Sequence, residues 1–388
     1  MQIFFWISMF IIFYTFIGYG IVLFAFVQLR RILKGRRSAV FNISKLPTCT
    51  LIVAAYNEQD IIEEKIKNTL ALEYPKEKIQ LMFVTDGSSD NTPALIQKYS
   101  HIQLLHSSDR KGKIHAMHRA MQLVNTEIVI FTDANTFLNE EALINIARHY
   151  EDATVGAVAG EKRVQIDNAS DATAGEGFYW KYESALKKWD SELYSVVGAA
   201  GELFSIRTNL YQPVPPDTVL DDFMISLRIA EKGYRIVYEP NAYALETASA
   251  NITEELKRKI RIAAGGIQSI LRLKSLLNPF RNTMLSFQYV SHRVLRWTVT
   301  PFLMIIAFFL NGLLALSTHE NLYILLFVCQ FLFYLLALLG WLFEKRKLRV
   351  KILFIPYYFC IMNYAVLAGI LRYTFSEQAV TWEKAKRK

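Results

Sequence analysis

The stretch Glu127 to Phe137 reads EIVIFTDANTF, an apolar run that ends abruptly in Asp133-Ala134-Asn135. In extended backbone, residues two apart point the same way. The Asp133 carboxylate and the Asn135 amide oxygen could therefore share one hard cation, Mg²⁺ or Mn²⁺, which takes oxygen ligands and leaves room for substrate phosphates. The same pair could instead cap a strand-ending turn. Two similar clusters stand upstream, Tyr56-Asn57-Glu58 and Asp86-Gly87-Ser88-Ser89-Asp90. Asp90 suits a turn and helix N-cap, whereas Asp86 suits a turn or a ligand. Leu220-Asp221-Asp222-Phe223 opens a helical pattern. The helix dipole favours an acid there but accounts less comfortably for two, and a carboxylate beside a cleft can act as general base toward a hydroxyl. Lys113, Arg258 and Arg261 could neutralise phosphate or stand solvated. His115 and His118 read as surface residues of a basic helix.

These residues need elements to carry them. Cys49–Ala55, 79–85, 102–105 and 128–132 read as continuous apolar strands, alternating with helical patterns over 59–72, 92–99 and 113–124. That alternation predicts an α/β fold with a parallel sheet and helices on both faces. In such sheets ligands bind beyond the carboxyl ends of the strands, where Tyr56, Glu58, Asp86 and Asp133 fall. Past 160 the pattern loosens into long helices over 175–193 and 221–232 and a Gly-rich stretch, Val196–Gly201. There is no P-loop lysine motif and no G-x-G-x-x-G, so nucleoside-triphosphate and dinucleotide cradles lack support.

Of the 388 residues 52% are hydrophobic, and the distribution explains that share. Residues 1–29, 298–316, 321–343 and 352–371 contain no charged side chain, and each run approaches the ~20 residues a helix needs to cross a bilayer. The first lacks the basic start and cleavage site of a signal peptide, so it reads as a retained anchor. Basic residues follow it (Arg30, Arg31, Arg36, Arg37) and fill the loop 344–351. By the positive-inside rule the globular part faces the cytosol and the second and third runs form a hairpin. A full fourth span would place the basic tail outside, so Pro356 and Asn363 leave a broken or re-entrant segment open. Helix 254–273 is amphipathic with a basic start, suited to the membrane surface or to packing on the domain. The net charge of +9 is accounted for by lipid-facing flanks, so no nucleic-acid partner is implied. Three scattered cysteines imply neither disulfide framework nor zinc site.

In order, LIVAAYNEQDIIEEKI, VTDGSSDNT, DRKGKIHAMHRA, IVIFTDANT, AAGELFSIR and LDDFMISLRIAEKGYRIVYEP resemble a membrane-anchored family 2 glycosyltransferase with a GT-A fold. The resemblance covers residues 45–275. It implies that Ala55, Tyr56, Glu58 and Asp86 hold the nucleotide and that Arg261 meets its phosphates; Lys113, by its charge alone, is the other expected contact to the nucleotide-sugar. Asp133 matches the first member of the family's metal-binding D-x-D, and Asn135 stands where the second acid would be. It further implies that Asp222 is the catalytic base, with Asp221 in the position before it. Processive members carry Q-x-x-R-W; here the stretch is Arg258-Lys259-Ile260-Arg261-Ile262, which lacks the Gln and the Trp.

The expectation is an N-terminal anchor (1–29), a cytosolic GT-A domain (40–255), interfacial helices (254–296), membrane segments (298–375) and a basic tail (376–388). The chain is expected to be a multi-pass protein of the cell membrane. It would move a sugar from a nucleotide-sugar, UDP-linked by expectation, to a lipid-linked or glycan acceptor, beside membrane lipids and other glycan-assembly proteins. The rival readings are a processive synthase and a non-catalytic scaffold with a degenerate transferase domain. Sugar choice would rest on a pocket within 153–201.

Overall fold

The computed structural model describes residues 1–35, 45–165, 174–247, 252–346 and 350–375. Arg36 and Arg37, loop positions 347–349, the tail 376–388 and residues 166–173 lie outside the described residues. Helices Gln2–Phe13 (α1) and Tyr19–Lys34 (α2) are joined by a π-helical turn, Tyr14–Gly18. Strands Cys49–Ala55 (β1), Ile79–Asp86 (β2), Gln103–Ser107 (β3) and Ile128–Asp133 (β4) alternate with helices Ile62–Leu70 (α3), Thr92–Gln97 (α4) and Lys113–Met121 (α5). Thr136–Leu138 (β5), Ala142–Ala147 (α6), Val155–Gln165 (β6), Ala174–Leu193 (α7), Leu203–Arg207 (β7), Asp221–Glu231 (α8) and Arg235–Thr247 (β8) follow. The chain then runs through Ile252–Arg272 (α9), Thr283–Tyr289 (α10), a second π-helical turn (Val290–Val294), Leu295–Trp297 (α11), Val299–Thr318 (α12), Asn321–Lys345 (α13) and Lys351–Phe375 (α14).

The strand order is β3-β2-β1-β4-β7-β6-β8-β5. The first four strands pair in parallel, as their continuous apolar runs predict. Ala55 lies opposite Thr85, Ala54 opposite Asp133 and Asp86 opposite Ser107, so the polar tips share one edge. The other half is mixed. β7 runs antiparallel to β4 and β6, β6 and β8 are parallel, and β5 is antiparallel to β8.

Burial on both faces explains the lack of alternation in β1. Leu51 and Val53 pack with Ile62 and Ile66 of α3 and Ala142 and Ile146 of α6. Ile52 faces the opposite core, with Ile114 and Met117 of α5 and Met224 and Leu227 of α8. Each such side chain, fully buried, contributes about 1.5–3 kcal/mol.

Among the described residues four helices are long and apolar enough to cross a membrane: Gln2–Leu33, Val299–Thr318, Asn321–Lys345 and Ile352–Phe375. α12 and α13 form the expected hairpin, turning at His319 in the left-handed region (φ 54). Asn311 donates to Gln330 across it at 2.8 Å. The last segment is one continuous helix through Pro356, so the broken alternative does not apply. A Cβ on Gly369 of α14 would lie 2.6 Å from the Cβ of Ala263. α9 is therefore clamped against α14 on one side. On the other, Val219 and Leu220 of the globular part press on Gly265.

Candidate active site

The tips of β1 and β2 form a small niche of ≈ 20 Å³ lined by Ala55, Tyr56, Asp86, Arg110 and Lys113. Asp86 Oδ2 accepts the backbone N–H groups of Lys111 (2.9 Å) and Gly112 (2.5 Å), whereas its buried Oδ1 has no partner. Arg110 stacks on the Tyr56 ring at 4.2 Å. Gly87 permits this closure: at φ 66, its Cβ would meet Arg110 Cβ at 2.5 Å. Glu58 is buried, its backbone N–H bonded to Thr92 at 2.8 Å, and does not line the niche. Asp90 serves local backbone, accepting from Thr92 (3.0 Å) and Gln59 (3.1 Å).

Lys113 joins the niche to a cleft of ≈ 350 Å³ that gathers Asp133, Glu202, Asp221, Asp222, Arg258 and Arg261. Lys113 Nζ meets Asp133 Oδ1 at 2.6 Å. Burial would lower this lysine, but Asp133, Asp221 and Asp222 together hold it well above the usual range. Burial, followed by the Asp221 charge, pushes the Asp222 carboxyl up to about 7 despite Lys113. Asp221 Oδ2 is buried with no hydrogen-bond partner among the described residues. Gly201 lets these groups meet, since a Cβ there would lie 3.3 Å from Asp222 Oδ2 and 3.5 Å from Lys113 Nζ. Arg261 makes no ion pair among the described residues; burial lowers it while Asp221 and Asp222 oppose that shift. Arg258 is committed to Glu255 at 3.0 Å.

Of the expected residues, Ala55, Tyr56 and Asp86 share the niche, Lys113 touches both spaces, and Asp133, Asp221, Asp222 and Arg261 line the cleft. Asn135 lines neither. β4 ends at Asp133 and the chain turns, so extended-strand spacing does not carry over; Thr136 Oγ1 donates to the Asp133 carbonyl at 3.0 Å.

Several residues escaped sequence reasoning. Lys65 is fully buried, donates to the Thr136 carbonyl at 2.6 Å, and is lowered to about 7 by burial against the pull of Asp133. Lys162 bridges Glu202 and Glu246; burial would raise Glu202, but Lys162 holds it well below the carboxylate range. Arg293, Trp297 and three α14 residues, Met362, Ala365 and Val366, also line the cleft. Only the apolar run containing the last three was visible beforehand. His118 is half-buried with an unpartnered Nε2, not a free surface residue.

Hard-cation chemistry fits this cleft only with help from a ligand. Among the described residues no three His, Cys, Asp or Glu are grouped to hold a metal alone. The unpartnered Asp221 oxygen and the raised Asp222 mark negative charge that Lys113 leaves unneutralised. Such a site suits an ion that takes few protein oxygens and several phosphate oxygens.

Comparison with known proteins agrees with this geometry. Residues 50–213 match Glycosyl transferase family 2. The poly-beta-1,6-N-acetyl-D-glucosamine synthase of Staphylococcus aureus is 27% identical over 238 residues, 60% of this chain and 57% of that protein. Its Staphylococcus epidermidis counterpart is 24% identical over 230 residues, 58% and 55% respectively. The matches thus take in little more than half the length of these relatives. A solved structure, the mannosyltransferase PcManGT from Pyrobaculum calidifontis in complex with GDP-Man and Mn²⁺, superposes with a TM-score of 0.70. It covers 96% of this chain and 99% of that one at 22% identity, a likeness of fold that includes the apolar helices. Residues 50–213 thus resemble a glycosyltransferase family 2 domain, on a GT-A-like fold, and among the described residues four helices are candidate membrane spans.

Proposed function

We propose that this protein is a membrane-embedded, inverting glycosyltransferase whose catalytic domain faces the cytosol. It moves a sugar from a nucleotide-sugar to a lipid-linked or cell-surface glycan acceptor. The observation that carries this reading is Asp222, a carboxyl at about 7 in the same cleft as Lys113, Asp133 and Arg261. An acid poised near neutrality is suited to take a proton at working pH.

The donor base would sit in the niche, where the free Asp86 Oδ1 offers an acceptor to a base N–H and Tyr56 offers a face. The diphosphate would extend toward Lys113 and Arg261. Lys113, released from Asp133, turns its ammonium to the phosphates. The acceptor hydroxyl attacks the anomeric carbon and gives its proton to Asp222, while the bond to the nucleoside diphosphate breaks on the opposite face. Attack from that side inverts the centre, and the oxocarbenium-like transition state has the Asp222 and Asp221 carboxylates nearby. Asp133 and the donor's own phosphates would hold Mg²⁺ or Mn²⁺, which as a Lewis acid would neutralise charge on the departing diphosphate.

A UDP-sugar is the first donor to test. GDP-mannose is the second, because the solved mannosyltransferase of like fold holds GDP-Man with Mn²⁺. A processive synthase is the second reading, favoured by the named activity of the Staphylococcus relatives. Against it, Ile262 offers no flat face at the Q-x-x-R-W position.

Detergent-purified protein should release a nucleoside diphosphate from one member of a UDP- and GDP-sugar panel. Release should need Mn²⁺ or Mg²⁺, stop with chelator, and be lost in Asp133→Ala. No release and no nucleotide binding across the panel, with membrane lipid added as acceptor, would sink the enzyme reading and favour the scaffold. Product length then separates single addition from polymerisation.

A further inference from the structure

Beyond the base, the cleft changes character. It is lined by the charged Asp133, Lys113 and Arg261 and, besides them, by Trp297, Met362, Ala365 and Val366. The last three fall at i, i+3 and i+4 and so share one face of α14, a helix apolar and long enough to cross a membrane. α14 lies close to α9 at Gly369, where a Cβ would come 2.6 Å from Ala263 Cβ and 3.0 Å from the Ile260 carbonyl oxygen. The cleft is thus bounded on one side by a surface continuous with a bilayer-spanning helix.

Trp297 sits at the junction. Its indole lies directly on the backbone of α9 at Gly266, where a Cβ would come within 2.4 Å of the ring. Its ring centroid is 5.5 Å from that of Phe223, the residue following Asp222. The base and the indole are therefore positioned by adjacent residues of one helix. Lys187 and Arg293 line the same cleft as a polar rim able to meet hydroxyl groups, with Glu183 beside them held by Arg296. Flat aromatic surface, hydroxyl-binding rim and apolar wall together fit an amphipathic molecule, while a fully polar one would gain nothing from the wall.

We propose that Trp297 is the floor of the acceptor subsite and that the acceptor is anchored in the bilayer. Its hydroxyl-bearing ring would rest on Trp297 within reach of Asp222, and its alkyl part would lie along Met362, Ala365 and Val366. This rests on the transferase reading above and names the acceptor class for it.

The test uses full-length protein in phosphatidylcholine nanodiscs with the donor identified by nucleotide release. The probes are methyl, octyl, dodecyl and hexadecyl β-glycosides of glucose and N-acetylglucosamine, with glycosylated product read by mass spectrometry. Acceptor KM should fall with chain length, the methyl glycosides being at least tenfold poorer than dodecyl, since each buried methylene is worth roughly fourfold. Trp297→Ala should raise the dodecyl-glycoside KM about tenfold, while the donor KM stays within twofold. Trp297→Phe should recover most of that loss, and Ala365→Asp should erase the chain-length preference. Equal use of methyl and dodecyl probes would overturn the bilayer route, as would donor consumption with no product from any probe. Loss of kcat with an unmoved acceptor KM in both Trp297 variants would reduce Trp297 to a packing residue. Absence of nucleotide release in the native protein would instead remove the transferase reading itself.

Discussion

At the scale of single residues, the cleft is a problem in charge balance. Asp133, Asp221 and Asp222 act on Lys113, and burial, followed by the Asp221 charge, lifts Asp222 to about 7. A base must be ionised to accept a proton, so kcat/KM should decline below about pH 7, by roughly tenfold per unit, and level off above it. Lys113 lowers Asp222. A pH–rate profile of Lys113→Met should therefore show the acid limb displaced to higher pH; an unmoved limb would separate Lys113 from the base. Arg261, without an ion pair among the described residues, is available to a diphosphate. Arg261→Ala should raise the donor KM roughly ten- to hundredfold, the worth of a charged hydrogen bond, in initial-rate measurements.

At the scale of elements, loops and helix starts place these groups. Gly198 stands at φ 91, where a Cβ would lie 2.2 Å from the Phe223 ring. Gly198→Ala combines backbone strain with a steric clash and should cost about 1–3 kcal/mol or more, seen as a lower thermal midpoint. The clash also pushes on the helix that begins at Asp221, so activity should fall with stability. The parallel half of the sheet was legible because β1, β2 and β4 are buried on both faces and read as unbroken apolar runs. That alone placed Ala55, Asp86 and Asp133 at one edge. The mixed half was not legible: β5 and β7 are short, and their partners are distant in sequence. Asn135 shows the same limit on a smaller scale, since strand periodicity was extended two residues beyond where β4 ends. Asp221 and Asp222 were found because two acids at one helix start exceed what a dipole asks for. Lys65, Lys162 and Trp297 were not found, because a lone Lys or Trp carries no pattern until the chain folds around it.

At the scale of the whole molecule, a buried polar network ties the apolar helices to the α/β part of the chain. His292 Nδ1 bonds Asp190 Oδ2 at 2.6 Å, and Asp190 also takes the hydroxyl of Tyr19 from α2. Glu183 faces His292 at 3.4 Å and Arg293 at 3.7 Å, and pairs closely with Arg296. Burial would raise Glu183, but Arg296 and its neighbours hold it well below the carboxylate range. A depressed carboxyl stabilises the fold above its unfolded pKa and loses that contribution as pH falls through its folded one. Midpoints should thus hold through neutral pH and drop only under strong acid. Glu183→Ala leaves buried cations uncompensated and should cost roughly 3–5 kcal/mol; an unchanged midpoint in denaturant would contradict that role. The four apolar runs were plain in the sequence, yet their packing was not. α14 was read as an uncertain last span, and the structure makes it a wall of the cleft.

The central claim is that Asp222 takes the acceptor's proton. The direct measurement is single-turnover sugar transfer from the identified donor by native protein and by Asp222→Asn, with nucleotide affinity measured on both. The expected result is a loss of about 10²–10⁴-fold in rate with nucleotide affinity preserved. Near-native transfer by the folded Asp222→Asn protein would contradict the account.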